Sequence, residues 1–175
     1  VRRSVEALRG RIEIQSVPGE GSTFSIHLPL TLAITDGMLL SAGDERYIIP
    51  MVKIHSSVRP SAEDIYTGTG KGEMVSLHGE LLPVVRLGEL YDIPGATQNP
   101  SEGLLVIVGE GSRRYGLVVD EILGQQQFVV KALTGQAAQT PGVAGGAILG
   151  DGEVGLILDP DELLTLSRKG RSAVA

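Results

Sequence analysis

The chain of 175 residues contains no cysteine, and this absence removes several kinds of chemistry at once. Without thiols there is no disulfide framework, no thiolate metal site and no cysteine nucleophile. The chain also has no tryptophan, only two phenylalanines and four tyrosines, and a net charge of −6. We therefore expect no nucleic-acid partner, because such partners require positive charge and aromatic stacking surfaces.

Long apolar runs are missing as well. No stretch approaches the roughly eighteen consecutive apolar residues of a membrane-spanning helix, and no basic start leads into an apolar signal segment. We therefore expect a cytoplasmic protein without direct membrane insertion.

What the chain does contain is many turn residues between short apolar runs. It has 24 glycines and 9 prolines, and from about residue 36 onward runs such as RYIIPMVKI and LLPVVRL are separated by Gly, Asp, Pro or Ser. This pattern predicts a mainly β domain. Longer loops are predicted at 59–72, 91–103 and 134–146, and the middle loop is the best internal boundary.

Residues 1–30 follow a different pattern. Val1, Val5 and Leu8 fall at helical spacing, and the stretches RIEIQS and TFSIHL predict a β-hairpin around the turn VPGEGS. Because a segment this short with so few apolar positions cannot form its own core, and because the chain opens at Val1, we expect the tail of a larger domain whose beginning is missing.

Two blocks of the chain repeat in the same order. GDERYIIPMVKI (43–54) matches GSRRYGLVVDEI (111–122) at an offset of 68, and HGELLPVVRLGEL (78–90) matches DGEVGLILDPDEL (151–163) at an offset of 73. Glycine, arginine, tyrosine and glutamate positions agree as well as apolar ones, so we prefer an internal duplication to chance similarity of β-rich text.

The duplication predicts two copies of one five-stranded unit. Each copy closes best as a small barrel, because closure removes exposed strand edges. Barrel one is predicted at about 36–92 and barrel two at about 103–160. A short helix over 160–167 is predicted to begin after the N-cap Asp159, and a frayed tail follows at 169–175.

Candidates for catalysis or metal binding are few. His27, His55 and His78 have no metal-like spacing, and neither a nucleophile elbow nor a P-loop motif occurs. We predict no catalytic residue and no metal site in this chain.

One stretch, GEGST, has the residue types of a phosphate-binding turn. Gly19 and Gly21 would let backbone N–H groups approach an anion, and Ser22 and Thr23 would donate hydroxyl hydrogen bonds. A tight hairpin needs the same residues, and on the local pattern alone we prefer the hairpin.

The stretch LRGRIEIQSVPGEGSTFSIHLPLTLAITDGMLL resembles the junction of CheA-type chemotaxis histidine kinases at which the ATP-binding domain ends and the regulatory domain begins. Residues 36–168 resemble the CheW-like domain, with RYIIP, HGELLPVVRLGEL, YGLVVDEILG, FVVKAL and GAILGDGEVGLILD in the family's order. Together the two resemblances cover almost the whole chain. They imply that residues 1–30 are the incomplete C-terminal tail of a histidine-kinase-type ATPase domain. Residues 31–168 would be a regulatory domain of two SH3-like five-stranded β-barrels related by a pseudo-twofold axis.

The same resemblance implies a function in regulation rather than catalysis. Such a module binds a CheW-like adaptor and the cytoplasmic tips of chemoreceptors, and it controls the kinase in two-component signal transduction at membrane receptor arrays; we include self-association among the expected contacts. ATP and magnesium would serve the parent kinase. Gly19, Gly21, Ser22 and Thr23 match the second glycine box at the nucleotide, but the other nucleotide boxes and the phosphate-accepting histidine domain are not in this chain. We expect nucleotide binding to be weak or nil, with no cofactor.

The resemblance also marks residues of a partner surface. Many CheW-like domains have a glutamate six residues after the proline of the RYIIP-like strand and an arginine before the glycine of the HGELLP-like phrase. Ser56 and His78 stand at these places, so the chain departs from the pattern there. Ile54, Val58 and Leu123 are apolar candidates for a groove between the barrels, with the core as their alternative location.

We therefore predict the regulatory coupling module of a CheA-type chemotaxis kinase. One alternative is a free-standing CheW-like adaptor with an unusual N-terminus. Another is a fragment that retains nucleotide binding through the glycine box at 19–23.

Overall fold

The computed structural model describes residues 11–19, 21–27, 34–68, 72–133 and 139–172. The strands are β1 (Arg11–Val17), β2 (Gly21–His27), β3 (Ile34–Ala42), β4 (Glu45–Pro50), β5 (Ile54–Val58), β6 (Ile65–Gly68), β7 (Gly72–Leu77), β8 (Glu80–Arg86), β9 (Leu104–Val108), β10 (Tyr115–Val119), β11 (Glu121–Lys131), β12 (Val143–Ile148) and β13 (Val154–Leu158). The α-helices are α1 (Leu87–Leu90) and α2 (Pro160–Ser172). The chain divides after Ile34 into two units, each of which is described by itself.

In the first unit, β1 and β2 form the predicted antiparallel hairpin. Ile12 lies opposite Ile26 and Ile14 opposite Phe24, so the apolar residues of both strands share one face, as the period-two pattern predicts. The predicted helix before the hairpin falls outside the described residues. The origin of this unit in an ATPase domain stays a prediction.

In the second unit, five strands close into a barrel in the order β11-β12-β13-β4-β3. Its buried interior consists of side chains from these strands and the turn after β12: Leu39, Ile48, Phe128, Ala147, Leu149 and Ile157. The mainly β class and one of the two predicted five-stranded barrels are thereby confirmed.

The other strands of this unit form a six-stranded sheet in the order β5-β9-β10-β8-β7-β6. Its own buried cluster consists of Val75, Leu82, Val84, Leu105, Ile107 and Val118.

A third and larger cluster takes side chains from the barrel, from the six-stranded sheet and from both helices, and we call it the shared cluster. Neighbouring residues of one strand belong to different clusters. On β4, Ile48 lies inside the barrel and Ile49 in the shared cluster; on β8, Val84 belongs to the buried cluster of the six-stranded sheet and Val85 to the shared cluster. Because these strands are buried on both faces, their sequences are continuous apolar runs rather than alternating ones.

The registers confirm the repeat and its pseudo-twofold relation. Leu40 pairs with Tyr47, and 68 positions later Val108 pairs with Tyr115. The parallel pair of β4 with β13 corresponds to that of β10 with β8, because Ile48 opposite Ile157 maps onto Gly116 opposite Val84. In both parallel pairs the two strands come from different copies of the repeat.

The division into barrels at 36–92 and 103–160 is therefore wrong. β3 and β4 complete the barrel of the C-terminal strands, and β9 and β10 lie inside the sheet of the earlier strands. The chain leaves the barrel at Pro50, passes through a 3₁₀ turn at Met51–Lys53 and enters the sheet as β5. Residues 91–103 are a loop, as predicted, but not a domain boundary, because Ile93 and Ala96 lie buried in the shared cluster.

The two sheets differ at the strand that closes them. In the barrel this strand is β11, which is continuous over 11 residues and pairs with β12 near its end, where Val130 lies opposite Ala147. Its counterpart in the sheet is interrupted at 59–64, so that β5 pairs with β9 and a separate β6 pairs with β7. The predicted loop at 59–72 thus contains a strand, and Pro60, which has no N–H to donate, lies in the interruption.

Helix α2 begins as predicted and ends later than predicted. The Asp159 carboxylate accepts hydrogen bonds from the backbone N–H groups of Asp161 (2.9 Å) and Glu162 (3.3 Å), which is an N-cap. The helix continues to Ser172, so the prediction of a frayed tail is wrong for residues 169–172. Arg168 and Lys169 favour this continuation, because cations stabilise a helix C-terminus. Within the described residues, neither helix has the length and apolar character to cross a bilayer.

Candidate docking surfaces

The glycine-rich turn at 19–23 has the geometry of a hairpin. Gly19 and Gly21 have φ values of +85° and +114°, which other residues rarely adopt, and a Cβ on either would meet open space. The Ser22 hydroxyl lies 2.8 Å from that of Ser16 across the strands, and Thr23 lies opposite Gln15. The turn conformation therefore accounts for both glycines, and a nucleotide role for this turn stays a prediction. In the described part of the chain, no group of three or more acidic or histidine side chains is arranged to hold a metal ion.

Three predicted partner residues lie on β5. Ile54 is half-buried against the shared cluster, and Val58 is half-buried against the cluster of the six-stranded sheet. Ser56 is exposed and follows a register irregularity in the pairing with β9. The two apolar residues therefore contribute to packing, and Ser56 is the one that faces solvent.

The other two predicted partner residues are not brought to the same place. His78 lies in the tight turn between β7 and β8, where it and Gly79 have φ values of +50° and +83°. Both central residues with positive φ are typical of a type I′ hairpin turn. Leu123 is exposed on β11 of the closed barrel. The structure therefore does not assemble one site from Ser56, His78 and Leu123.

Sequence reasoning missed two exposed apolar residues at matching positions of the repeat. Leu81 on β8 and Val154 on β13 are 73 positions apart, and they are 57% and 61% exposed. On the six-stranded sheet, Leu81 shares the outer face with Tyr66, Met74 and Pro83, since Tyr66 pairs with Met74 and Met74 pairs with Pro83. We call these four residues the sheet patch.

The corresponding surface on the barrel is smaller. Val154 pairs with Ile148, which is 49% exposed, and a Cβ at Gly146 would meet Leu133 and Val154. We call Leu133, Ile148 and Val154 the barrel patch. A signal for both patches was present in the sequence, because an apolar residue follows the matched glutamates Glu80 and Glu153.

Each patch is bordered by the same ion pair. The Arg114 guanidinium contacts Glu80 at 2.7 Å, and Arg46, its repeat counterpart, contacts Glu153 at 3.4 Å and also pairs with Asp151. The backbone N–H of Glu153 and the Arg46 guanidinium lower the pKa of Asp151. The sheet patch and the barrel patch therefore each have an exposed apolar residue beside an arginine–glutamate pair that joins two parallel strands.

A third exposed surface lies at the start of β5. Val52 in the 3₁₀ turn is 86% exposed. The neighbouring Lys53 ammonium contacts Glu110 at 2.8 Å and Asp161 at 3.3 Å, and these carboxylates raise the pKa of Lys53. This ion cluster joins the turn to the start of α2, and the Val52 side chain stays exposed to solvent.

The chain is similar to a known domain family and to several known proteins. A family model described as the CheW-like domain matches residues 36–168. Chemotaxis protein CheA of Salmonella typhimurium is 40% identical over 174 residues, which are 99% of this chain and 26% of that protein. Chemotaxis protein CheA of Rhizobium meliloti is 40% identical over 169 residues, covering 96% and 22%. Sensor histidine kinase CheAY of Helicobacter pylori is 34% identical over 168 residues, covering 96% and 21%.

A solved structure shares the fold. The crystal structure of scaffolding protein TtCheW from Thermoanaerobacter tengcongensis aligns with a TM-score of 0.57 and 19% identity, covering 71% of this chain and 88% of that one. At this identity the likeness concerns the fold alone. The chain spans about a quarter of the length of the curated relatives named above.

Proposed function

The chain belongs to the CheW-like domain family, and from this membership we propose that it is the regulatory coupling module of a CheA-type chemotaxis histidine kinase. It acts in the cytoplasm at membrane receptor arrays, where it binds an adaptor and receptor tips and makes or breaks no bond itself. The coarser part, a chemotaxis signalling module of the CheA type, follows from relatives that match nearly the full chain.

The adaptor is a second CheW-like protein that docks on the sheet patch or the barrel patch. The observation that supports this docking most directly is the exposure of Leu81 and Val154 at equivalent positions of the pseudo-twofold. A partner of the same fold carries similar ends, so contacts between unlike ends run head to tail and extend into rings or arrays. The ion pairs beside each patch supply a polar rim around an apolar centre.

Titration of the chain with its cognate CheW-like adaptor tests this assignment. We expect saturable binding that Leu81→Glu or Val154→Glu weakens by at least about tenfold, since a carboxylate would be desolvated in the contact. Val52→Glu is the matched control, because it makes the same kind of change at an exposed residue outside both patches. Unchanged adaptor affinity in both patch variants, with the fold intact, would contradict the proposal.

Receptor tips bind at the start of β5, where Val52 and Ser56 are exposed beside the Lys53 ion cluster. For a peptide of the receptor tip the roles of the variants are reversed. Val52→Glu and Ser56→Glu reduce binding, and Leu81→Glu serves as the control. Equal effects of all three variants on both partners would show a general loss of structure rather than two surfaces.

The free-standing adaptor is less well supported than the kinase module. The similarity to CheA of Salmonella typhimurium covers 99% of the chain and so includes the hairpin of β1 and β2. The scaffolding protein TtCheW covers only 71% of the chain.

We also propose that ATP and magnesium belong to the remainder of the kinase and that Gly19, Gly21, Ser22 and Thr23 do not hold a nucleotide by themselves. The turn geometry already accounts for both glycines. Calorimetry with ATP and magnesium should show no saturable heat, and submillimolar binding abolished by Gly21→Ala would favour the nucleotide-binding alternative instead.

A further inference from the structure

A cleft of about 290 Å³ lies beside the shared cluster, and its lining contains no residue of the two patches and none from the start of β5. Its lining includes Glu45, Tyr47, Tyr91, Asp92, Pro94 and Leu156. The rings of Tyr47 and Tyr91 stack nearly parallel, with their centroids 5.9 Å apart. The Tyr91 hydroxyl donates a hydrogen bond to the carbonyl of Pro141 at 2.8 Å, which fixes the outer ring in place.

Both charged residues that line this cleft are acidic. Glu45 and Asp92 line it, and Glu162 on α2 lies near Tyr91, whose pKa is raised by burial first and also by this carboxylate. The three carboxylates are exposed, and within the described ranges no hydrogen bond or ion pair to them is found. No lysine or arginine is among the lining residues.

The pseudo-twofold supplies an internal comparison at Tyr115, the counterpart of Tyr47. There the tyrosine hydroxyl donates to the carbonyl of Pro160, and the nearby Asp161 carboxylate is joined by two cations of the same chain. Lys53 contacts Asp161 at 3.3 Å and Arg113 contacts it at 3.7 Å.

The residue that corresponds to Arg113 at the offset of 68 is Glu45. One side of the molecule therefore fills its tyrosine–carboxylate corner with its own cations. On the other side Glu45 stands in place of the arginine and Gly88, at the offset of 73, in place of Asp161, and the cleft is open.

We propose that this cleft binds a cationic side chain, in particular an arginine, presented by a partner polypeptide. A planar guanidinium stacks on an aromatic face and donates two parallel hydrogen bonds to a carboxylate, and the cleft offers both an aromatic face and carboxylates. The volume of about 290 Å³ is sufficient for one arginine side chain. The proposal concerns a surface other than those assigned to the adaptor and the receptor, so it stands or falls independently of them.

The test is a nuclear magnetic resonance titration of the whole chain with acetyl-Gly-Arg-Gly-amide. The matched probe replaces arginine with citrulline, which has the same shape and no charge. We expect saturable shifts of the Tyr47 and Tyr91 ring signals with the arginine peptide and none with the citrulline peptide.

Variants then locate the site. Glu45→Gln and Asp92→Asn each remove one charge, and asparagine tolerates the left-handed backbone of Asp92, whose φ is +54°. Each variant should lower the affinity for the arginine peptide by about fivefold, because one charge-assisted contact is lost. Glu63→Gln, an exposed neutralisation outside the cleft, should leave the affinity unchanged.

Three results would overturn the proposal: no saturable shift, equal shifts with the two peptides, or an equal effect of Glu63→Gln and Glu45→Gln. Leu81→Glu should leave this titration unchanged, so failure of adaptor docking and failure of the cleft are distinguished.

Discussion

Gly43 and Gly111 are counterparts in the repeat, yet only one of them lies in a crowded place. Both have the left-handed backbone, with φ values of +56° and +53°. A Cβ on Gly43 would come within 2.5 Å of the Pro94 carbonyl oxygen, whereas a Cβ on Gly111 would meet nothing within 4 Å. The pair therefore separates backbone strain from steric exclusion.

We expect Gly43→Ala to lower the free energy of unfolding by about 3 kcal/mol, as the sum of left-handed strain and a clash with backbone that cannot move aside. Gly111→Ala should cost about 1 kcal/mol, from strain alone. Urea unfolding of both variants measures the difference. Equal losses would show that the loop at Pro94 adapts freely.

The titration of Tyr47 should make the free energy of unfolding depend on pH in the alkaline range. Burial, together with the Glu45 carboxylate, raises the pKa of Tyr47 to about 12, above the ordinary value of about 10. Below pH 10 the proton is bound in both states. Between pH 10 and 12 the unfolded chain releases it and the folded chain does not, so the free energy of unfolding falls as the pH rises.

The expected loss attributable to Tyr47 between pH 10 and 12 is about 2–3 kcal/mol. Tyr47→Phe keeps the ring and removes the titrating group, so urea unfolding of this variant should show a loss smaller by that amount. Comparison at pH 8, where the hydroxyl is neutral in both states, provides the reference. Parallel pH profiles for the two proteins would contradict the assignment.

At this scale the sequence predicted burial better than exposure. Ile54 and Val58 are half-buried, in accord with the core alternative that the pattern left open. Leu81 and Val154 were missed because an outward-facing apolar residue in a short run looks like core until strand pairing shows which face it occupies.

At the scale of elements, most strands follow from apolar runs bounded by turn residues, and the exceptions have local causes. β6 is only four residues long and lies among turn residues, so its sequence has no clear period. The later end of α2 depends on continuation through Gly170, which lowers helix propensity by about 1 kcal/mol without ending the helix.

The cap of α2 gives a prediction for this scale. Asp159→Ala removes the acceptor for the N–H groups of Asp161 and Glu162 and should lower the free energy of unfolding by about 1–2 kcal/mol. Asp159→Asn keeps an acceptor and should stay within about 0.5 kcal/mol of the parent. Urea unfolding compares them, and the same loss in both variants would assign the effect to charge rather than to capping.

At the scale of the whole molecule, the internal repeat predicted two related β units but not their strand exchange. The matched blocks establish which segments are equivalent, and they contain no information on whether a strand pairs within its own copy or with the other one. Burial of β4 and β10 on both faces makes exchange favourable, because each hairpin contributes side chains to one sheet interior and to the shared cluster at the same time.

This exchange predicts how the chain behaves when it is divided between Gln98 and Asn99, in the loop between α1 and β9. The segment 34–98 then contains β3 and β4 without the rest of the barrel, and the segment 99–172 contains β9 and β10 without the rest of the six-stranded sheet. Neither segment can complete a sheet, since incomplete sheets leave edges unpaired and the shared cluster exposed. Each alone should give the narrow amide spectrum of an unfolded chain, and an equimolar mixture should recover the dispersed spectrum of the parent. The intact chain cleaved at the same bond after folding is the control and should stay folded. If either segment folded alone, each copy would form a barrel by itself, and the pairing of β4 with β13 would have to be rejected.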